Sequence, residues 1–133
     1  MSITRLMIEE HNKIESSLKK FLDNPSRQNF LSFGERVKRH FGVEKGVIFI
    51  LTEKYLGEDL NAIFKLTEQH IEILKEIMEI KKQFGSAEKL ISIMAKDLEA
   101  HKRYEEKVFY PKLDRTLDEL QKEEIIERLR RVI

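Results

Sequence analysis

The stretch His101-Lys102-Arg103-Tyr104-Glu105-Glu106-Lys107-Val108-Phe109-Tyr110-Pro111 carries a histidine and a glutamate four residues apart, His101 and Glu105. On an α-helix, residues i and i+4 stack on one face, so an imidazole nitrogen and a carboxylate oxygen point at nearly the same spot. The arrangement occurs once before, in His40-Phe41-Gly42-Val43-Glu44. The two remaining histidines, His11 and His70, precede these pairs by 29 and 31 residues. The chain therefore has two similar halves, each a histidine, then about one helix and a turn, then His-x-x-x-Glu.

Working outward, the apolar residues recur by threes and fours around each histidine, the signature of amphipathic helices. Ser2 is placed to cap a first helix to about Leu22, with Ile3, Met7, His11, Ile14, Leu18 and Phe21 on one stripe. Asp23-Asn24-Pro25 breaks it and Ser26 starts a second helix to about Tyr55, with Phe33, Val37, His40, Glu44, Ile48 and Leu51 inward. Gly42 and Gly46 inside that helix suit a close backbone approach or a bend. A turn over Leu56-Gly57-Glu58-Asp59 leads to a third helix, about Leu60 to Phe84, with Ile63, Thr67, His70, Leu74, Ile77 and Phe84 on one face. Gly85 ends it and Ser86 is placed to cap a fourth. That helix turns Leu90, Met94, Leu98, His101, Glu105 and Val108 inward and should kink or end near Pro111. A turn over Asp114 to Leu117 precedes a short fifth helix, about Asp118 to Val132, with Leu120, Ile125, Ile126, Leu129 and Val132 as its contacts.

Short connections make neighbouring helices antiparallel. The expected fold is all-α, an up-down-up-down four-helix bundle with a short C-terminal fifth helix, in one domain over residues 1–133. With 133 residues, 41% of them hydrophobic, the chain can bury a core without staples. It has no cysteine, which excludes disulfides, thiolate metal sites and a thiol nucleophile. A net charge of +1 speaks against nucleic acid or an anionic membrane as partner. The chain lacks an apolar run of membrane-spanning length and a signal-peptide core, so a cytoplasmic protein is expected. Charges such as Lys38, Arg39, Glu76, Lys81, Lys82 and Glu99, and the run Arg128, Arg130, Arg131, read as solvated surface. The bundle could be monomeric or a homodimer through its last helix.

Any one of these histidines alone reads as a hydrogen-bonded core residue, and a lone His-x-x-x-Glu as a solvated pair. The joint pattern differs, because every histidine lies on a core stripe, one per helix, and two stripes add an inward glutamate one turn later. Buried carboxylates and imidazoles need partners. A metal centre satisfies all six together. His11, His40, His70 and His101 with Glu44 and Glu105 exceed the needs of one tetrahedral ion and fit two ions bridged by the carboxylates. Mixed nitrogen and oxygen donors suit iron, manganese or zinc rather than copper(I). Thr67 and Tyr104 are candidates for supporting these ligands.

On these residues the chain resembles the hemerythrin-like family, the His/His/Glu cation-binding domain, over nearly all of residues 1–133. The resemblance is carried by His40 to Glu44 followed by Val47-Ile48-Phe49, and by His101 to Pro111, which is similar to the family's His-x-x-x-Glu-Glu-x-x-x-aromatic-Pro signature. It implies a non-haem di-iron centre, with His11, His40, His70 and His101 as terminal ligands and Glu44 and Glu105 as bridges. Oxygen-carrying members hold a fifth histidine where this chain has Leu74. They also place their last carboxylate, an aspartate, five residues after its histidine, where this chain has Glu106. The four-histidine, two-glutamate set is closer to the domain of the family's iron–sulfur-cluster repair proteins, which add an N-terminal cysteine-containing domain absent here. The resulting expectation is a di-iron protein that binds or senses O2 or nitric oxide, or handles iron. An oxidoreductase acting on O2, peroxide or nitric oxide, with Tyr104 or Tyr110 supplying protons or electrons, is the alternative. A metal-free helical interaction module is the third.

Overall fold

The computed structural model describes residues 1–57 and 60–133, and these are all helical or connecting, with no strand among them. Helix α1 spans Ile3–Asp23 and α2 spans Arg27–Val43. A π-helical segment, Glu44–Phe49, joins α2 to α3, Ile50–Leu56, without a break in helical backbone. Helix α4 covers Leu60–Lys82 and α5 covers Glu88–Tyr104. A second π-helical segment, Glu105–Phe109, leads into α6, Tyr110–Thr116, and α7 is Glu119–Val132. The Glu58-Asp59 part of the expected turn lies outside the described residues. No described helix is long and apolar enough to cross a membrane.

The helix starts follow from local chemistry. The Ser2 hydroxyl accepts from Arg5 N–H, and that of Ser26 from Asn29 N–H. The first turn of α1 is also tied to α6, since Ile3 and Thr4 N–H donate to the Asp114 carboxylate at 2.9 and 3.0 Å. An anionic group there suits both the orphan N–H groups and the helix dipole. Asp118 and Gln121 form a reciprocal capping box on α7. Ser86 does not cap α5. Its hydroxyl donates to the Gln83 carbonyl, and Ala87 precedes the helix without a side-chain bond. Gly57 ends α3 with φ +62°, the left-handed conformation that glycine adopts without steric cost. Neither Gly42 nor Gly46 marks a close approach, because a Cβ at either would meet nothing within 4 Å. The close approach is at Gly34, where a Cβ would lie 3.2 Å from Ile77 on α4.

The π-helical segments alter the fourth stripe. The wider turn carries an extra residue, which rotates everything beyond it by about 100° relative to an α-helix. Val108, expected inside, is consequently 48% exposed, and Phe109, Tyr110 and Leu113 are buried instead. Pro111 does not end the helix, which runs on to Thr116. It falls in the first turn of α6, where a missing N–H does least harm. In α7, Leu120 is exposed because it stands nine residues from buried Leu129, half a revolution round the helix. Val132, also expected inside, is exposed at the end of that helix. Ile125, Ile126 and Leu129 make the contact, and α7 packs on α1 and the first π-helical segment.

Two apolar clusters form the core. One contains Met7, Ile48, Leu66, Phe109, Leu113 and Ile125. The other contains Ile14, Val37, Ile73, Ile77, Met94 and Leu98. At about 1.5–3 kcal/mol per large buried side chain, these clusters offset the cost of burying charge between them. Each histidine stands where its helix passes from one cluster to the other. Along α1 the order is Met7, His11, Ile14; along α2 it is Val37, His40, Ile48; along α4, Leu66, His70, Ile73; along α5, Leu98, His101, Phe109. The four histidines thus share one polar layer.

One charge read as solvated is not. Glu76 of α4 is only 9% exposed and its Oε1 has no hydrogen-bond partner. Burial, with Asp97 and Glu72 beside it, pushes its carboxyl up to about 8. A raised carboxyl holds its proton in the fold, so its stability contribution falls as pH rises from 4.5 towards 8. Glu76→Gln should therefore stabilise the protein by about 1–2 kcal/mol at pH 9 and by almost nothing at pH 5, discounting for solvent on one side. Urea denaturation at the two pH values checks this.

Candidate metal centre

All six residues singled out by the His-x-x-x-Glu pattern meet in that polar layer. Glu44 and Glu105 are fully buried, and His11, His40, His70 and His101 nearly so. Their ligand atoms fall into two overlapping sets able to hold a metal ion, Glu44 with His70, His101 and Glu105, and His11 with His40 and Glu105. Glu44 Oε1 lies 3.2 Å from both His40 Nε2 and His70 Nε2, and 3.8 Å from His101 Nε2. Glu105 Oε1 lies 3.2 Å from His11 Nε2 and 3.3 Å from His101 Nε2. Every imidazole thus turns Nε2 towards a carboxylate at the centre. The i, i+4 geometry supplies the His40–Glu44 and His101–Glu105 contacts, and tertiary packing supplies the others.

The outward ring nitrogens explain this orientation. His11 Nδ1 is 2.6 Å from Glu106 Oε2, and His101 Nδ1 is 2.7 Å from Gln69 Oε1. Both partners accept, so Nδ1 carries a proton and Nε2 is the nitrogen turned inward, the usual support of a metal-bound histidine. His70 is fixed by stacking, with the Phe41 ring 3.9 Å away at 9° and the Phe49 ring at 5.6 Å. Tyr110, buried by the second π-helical segment, donates its hydroxyl to Glu44 Oε2. Burial and the two carboxylates raise this phenol well above its usual range, so it remains a donor.

Thr67 and Tyr104 play no such part. Tyr104 is half-buried beneath Lys65, and Thr67 is a half-buried residue of α4. Glu106, Gln69 and Tyr110 are the supporting residues that helical periodicity does not assign. The sequence signals were Glu106 at the i+5 offset from His101 and Tyr110 in the aromatic-Pro stretch; Gln69 left none. Truncating Glu106 to Ala should weaken metal binding about 10- to 100-fold and leave the metal-free melting temperature within a few degrees, as competition with a chromophoric chelator would measure.

The protonation pattern shows what the layer lacks. Burial opposes charge on Glu44, but hydrogen bonding with Glu105 and the nearby His40 and His101 hold it well below the ordinary carboxylate range. Burial and the neighbouring Glu44 push Glu105 up to about 7. Burial disfavours the His101 cation, yet Glu105 and Glu44 more than offset this and raise it to about 10. Burial lowers His70. Protons in this site therefore stand in for positive charge. Even so, His40 Nε2, His101 Nε2 and both Glu105 oxygens are buried without a well-formed hydrogen bond. Four unsatisfied buried atoms around one point are costly. A bound cation would satisfy all of them, so the donor set fits a metal, and its imidazole and carboxylate composition fits iron, manganese or zinc.

Beside the layer lies a small cavity of about 40 Å³. His11, His40 and His101 form its floor, and Ile14, Leu18, Phe41, Ala95 and Leu98 form mostly apolar walls. At its rim the Lys102 ammonium contacts Glu15 of α1 and lies 2.9 Å from Glu99. Compared with family models, curated proteins and solved structures, the chain finds no match in any of the three.

Proposed function

We propose that the protein is a hemerythrin-like di-iron module that binds or senses a small ligand such as O2 or nitric oxide, or handles iron. The observation that carries this reading is the convergence of six buried donors, two of them locked by outward hydrogen bonds with Nε2 inward. Iron in such a site would supply open coordination positions for a small ligand. His11, His40, His70 and His101 would hold the ions from four sides and Glu44 and Glu105 would bridge them. The proposed frame is an antiparallel up-down-up-down four-helix bundle in one domain. Its support is the alternating order in which the four histidine-bearing helices traverse the two apolar clusters. A cytoplasmic location belongs to the same reading.

The ligand class follows from the cavity. A space of about 40 Å³ beside the donors admits a molecule of diatomic size. Apolar walls favour an uncharged guest, because a charged one would lose its hydration without compensation. The test is optical titration of the anaerobic, ferrous-loaded protein with nitric oxide, with imidazole as a larger control. The reading expects saturable nitric oxide binding that is lost in Ala95→Phe, with metal content unchanged, and no imidazole binding. A metal-loaded protein that ignores nitric oxide would contradict it.

An oxidoreductase is the second reading, favoured by one observation, the buried Tyr110 hydroxyl against Glu44. That phenol can hold or pass a proton at the Glu44 carboxylate. If it does so in turnover, Tyr110→Phe should slow oxidant consumption in the presence of an electron donor while leaving metal content unchanged.

A further inference from the structure

We propose that α4 is the interface of a homodimer, two copies packing antiparallel through a stripe of Phe64, Ile71 and Met78. These residues are 66%, 51% and 56% exposed, although each is large and apolar. They recur at intervals of seven, which stacks them along one line of the helix, about 21 Å from end to end. The opposite face of α4 is fully occupied, with Leu66, His70, Ile73, Ile77 and Ile80 inside the protein. The stripe therefore lies outside both core clusters.

The spacing and charges of α4 identify the occupant as a second copy. Ile71 lies midway between Phe64 and Met78, so a two-fold axis at Ile71 sets Phe64 of each copy against Met78 of the other. Alongside the stripe stand exposed Glu68, three residues before Ile71, and exposed Lys75, four after it. The same two-fold brings Glu68 of one copy opposite Lys75 of the other, twice per dimer. A parallel pairing would place this flank of one copy on the opposite side of the seam from that of the other, leaving the charge match unmade, which disfavours it. An isologous contact needs such self-complementarity. The last helix, left open by the sequence as a contact should the chain dimerise, buries Ile125, Ile126 and Leu129 in the core. One helix seam falls at the small end of specific interfaces, so the dimer should be weak and concentration-dependent.

Sedimentation equilibrium over a wide concentration range tests this, with circular dichroism confirming that each variant is folded. The proposal expects a reversible dimer, weakened at least tenfold by Ile71→Glu and by Lys75→Glu. It also expects the double variant Glu68→Lys with Lys75→Glu to restore dimerisation, because the swapped charges again face their opposites. A chain that stays monomeric up to millimolar concentration would overturn it. So would a dimer indifferent to Ile71→Glu, or a double variant no better than Lys75→Glu alone.

Discussion

Replacing Glu44 by Gln should remove metal-dependent stability and cost the metal-free protein much less. In the metal-free fold Glu44 is an anion without water, hemmed by three imidazoles and Glu105. Substituting a neutral amide deletes one buried charge and relieves Glu105, which can then pair with His101 on its own. The Tyr110 hydroxyl keeps an acceptor in the amide oxygen. Removing one partner of a buried charge cluster destabilises the fold, and re-pairing of Glu105 with His101 limits that cost here. The metal-loaded protein loses more, because Glu44 Oε1 is the oxygen nearest to His40 and His70 at once. An ion at thousandfold excess over its dissociation constant adds about 4 kcal/mol, and most of that increment should vanish. Melting curves of wild type and variant, each with and without ferrous iron, would show a drop of a few degrees without iron and a drop larger by roughly 10 °C or more with it. A variant equally destabilised in both states would mean that Glu44 is a structural residue.

Acidity gives the second large effect, with opposite slopes in the two states. In the metal-free protein His101 is raised from 6.5 to about 10, so its contribution is complete below 6.5 and lost as pH rises through 10. Glu105 is raised from 4.5 to about 7, so it too costs stability as pH climbs between those values. Glu44 is lowered, and its contribution fails only below about 4.5. The metal-free fold should therefore lose stability from pH 5 to pH 9, by on the order of 10 °C in melting temperature. Metal competes for the same positions as these protons, so binding strengthens with pH across that window and the loaded protein should gain stability. Calorimetric melts at pH 5, 7 and 9 would display the crossing. Parallel slopes would mean that the titrating groups are not the metal-binding groups.

The site was legible in the sequence to the extent that it follows helical periodicity. His11, His40, His70 and His101 lie on apolar stripes of 3.6-residue period, and His-x-x-x-Glu needs only one helical turn to bring its members together. Residues placed by tertiary contact were hidden. Gln69 supports His101 from another helix, and Glu106 supports His11 across 95 positions. Glu76 looked like surface because Asp97, which faces it, is 21 positions away in sequence. The π-helical segments left no mark either, since one extra residue in a turn changes no composition. Their effect is nonetheless specific, in that Tyr110 reaches Glu44 only because the register shifts after Glu105.

The central claim is that four histidines and two glutamates form a two-metal centre. Its most direct test is elemental analysis of protein purified anaerobically without an affinity metal column, repeated after loading with ferrous iron and with an absorption spectrum recorded before and after air. The account predicts about two irons per chain, an oxo-bridged ferric band on oxidation, and loss of both in Glu44→Gln. A chain that takes up no metal even after reconstitution would contradict it.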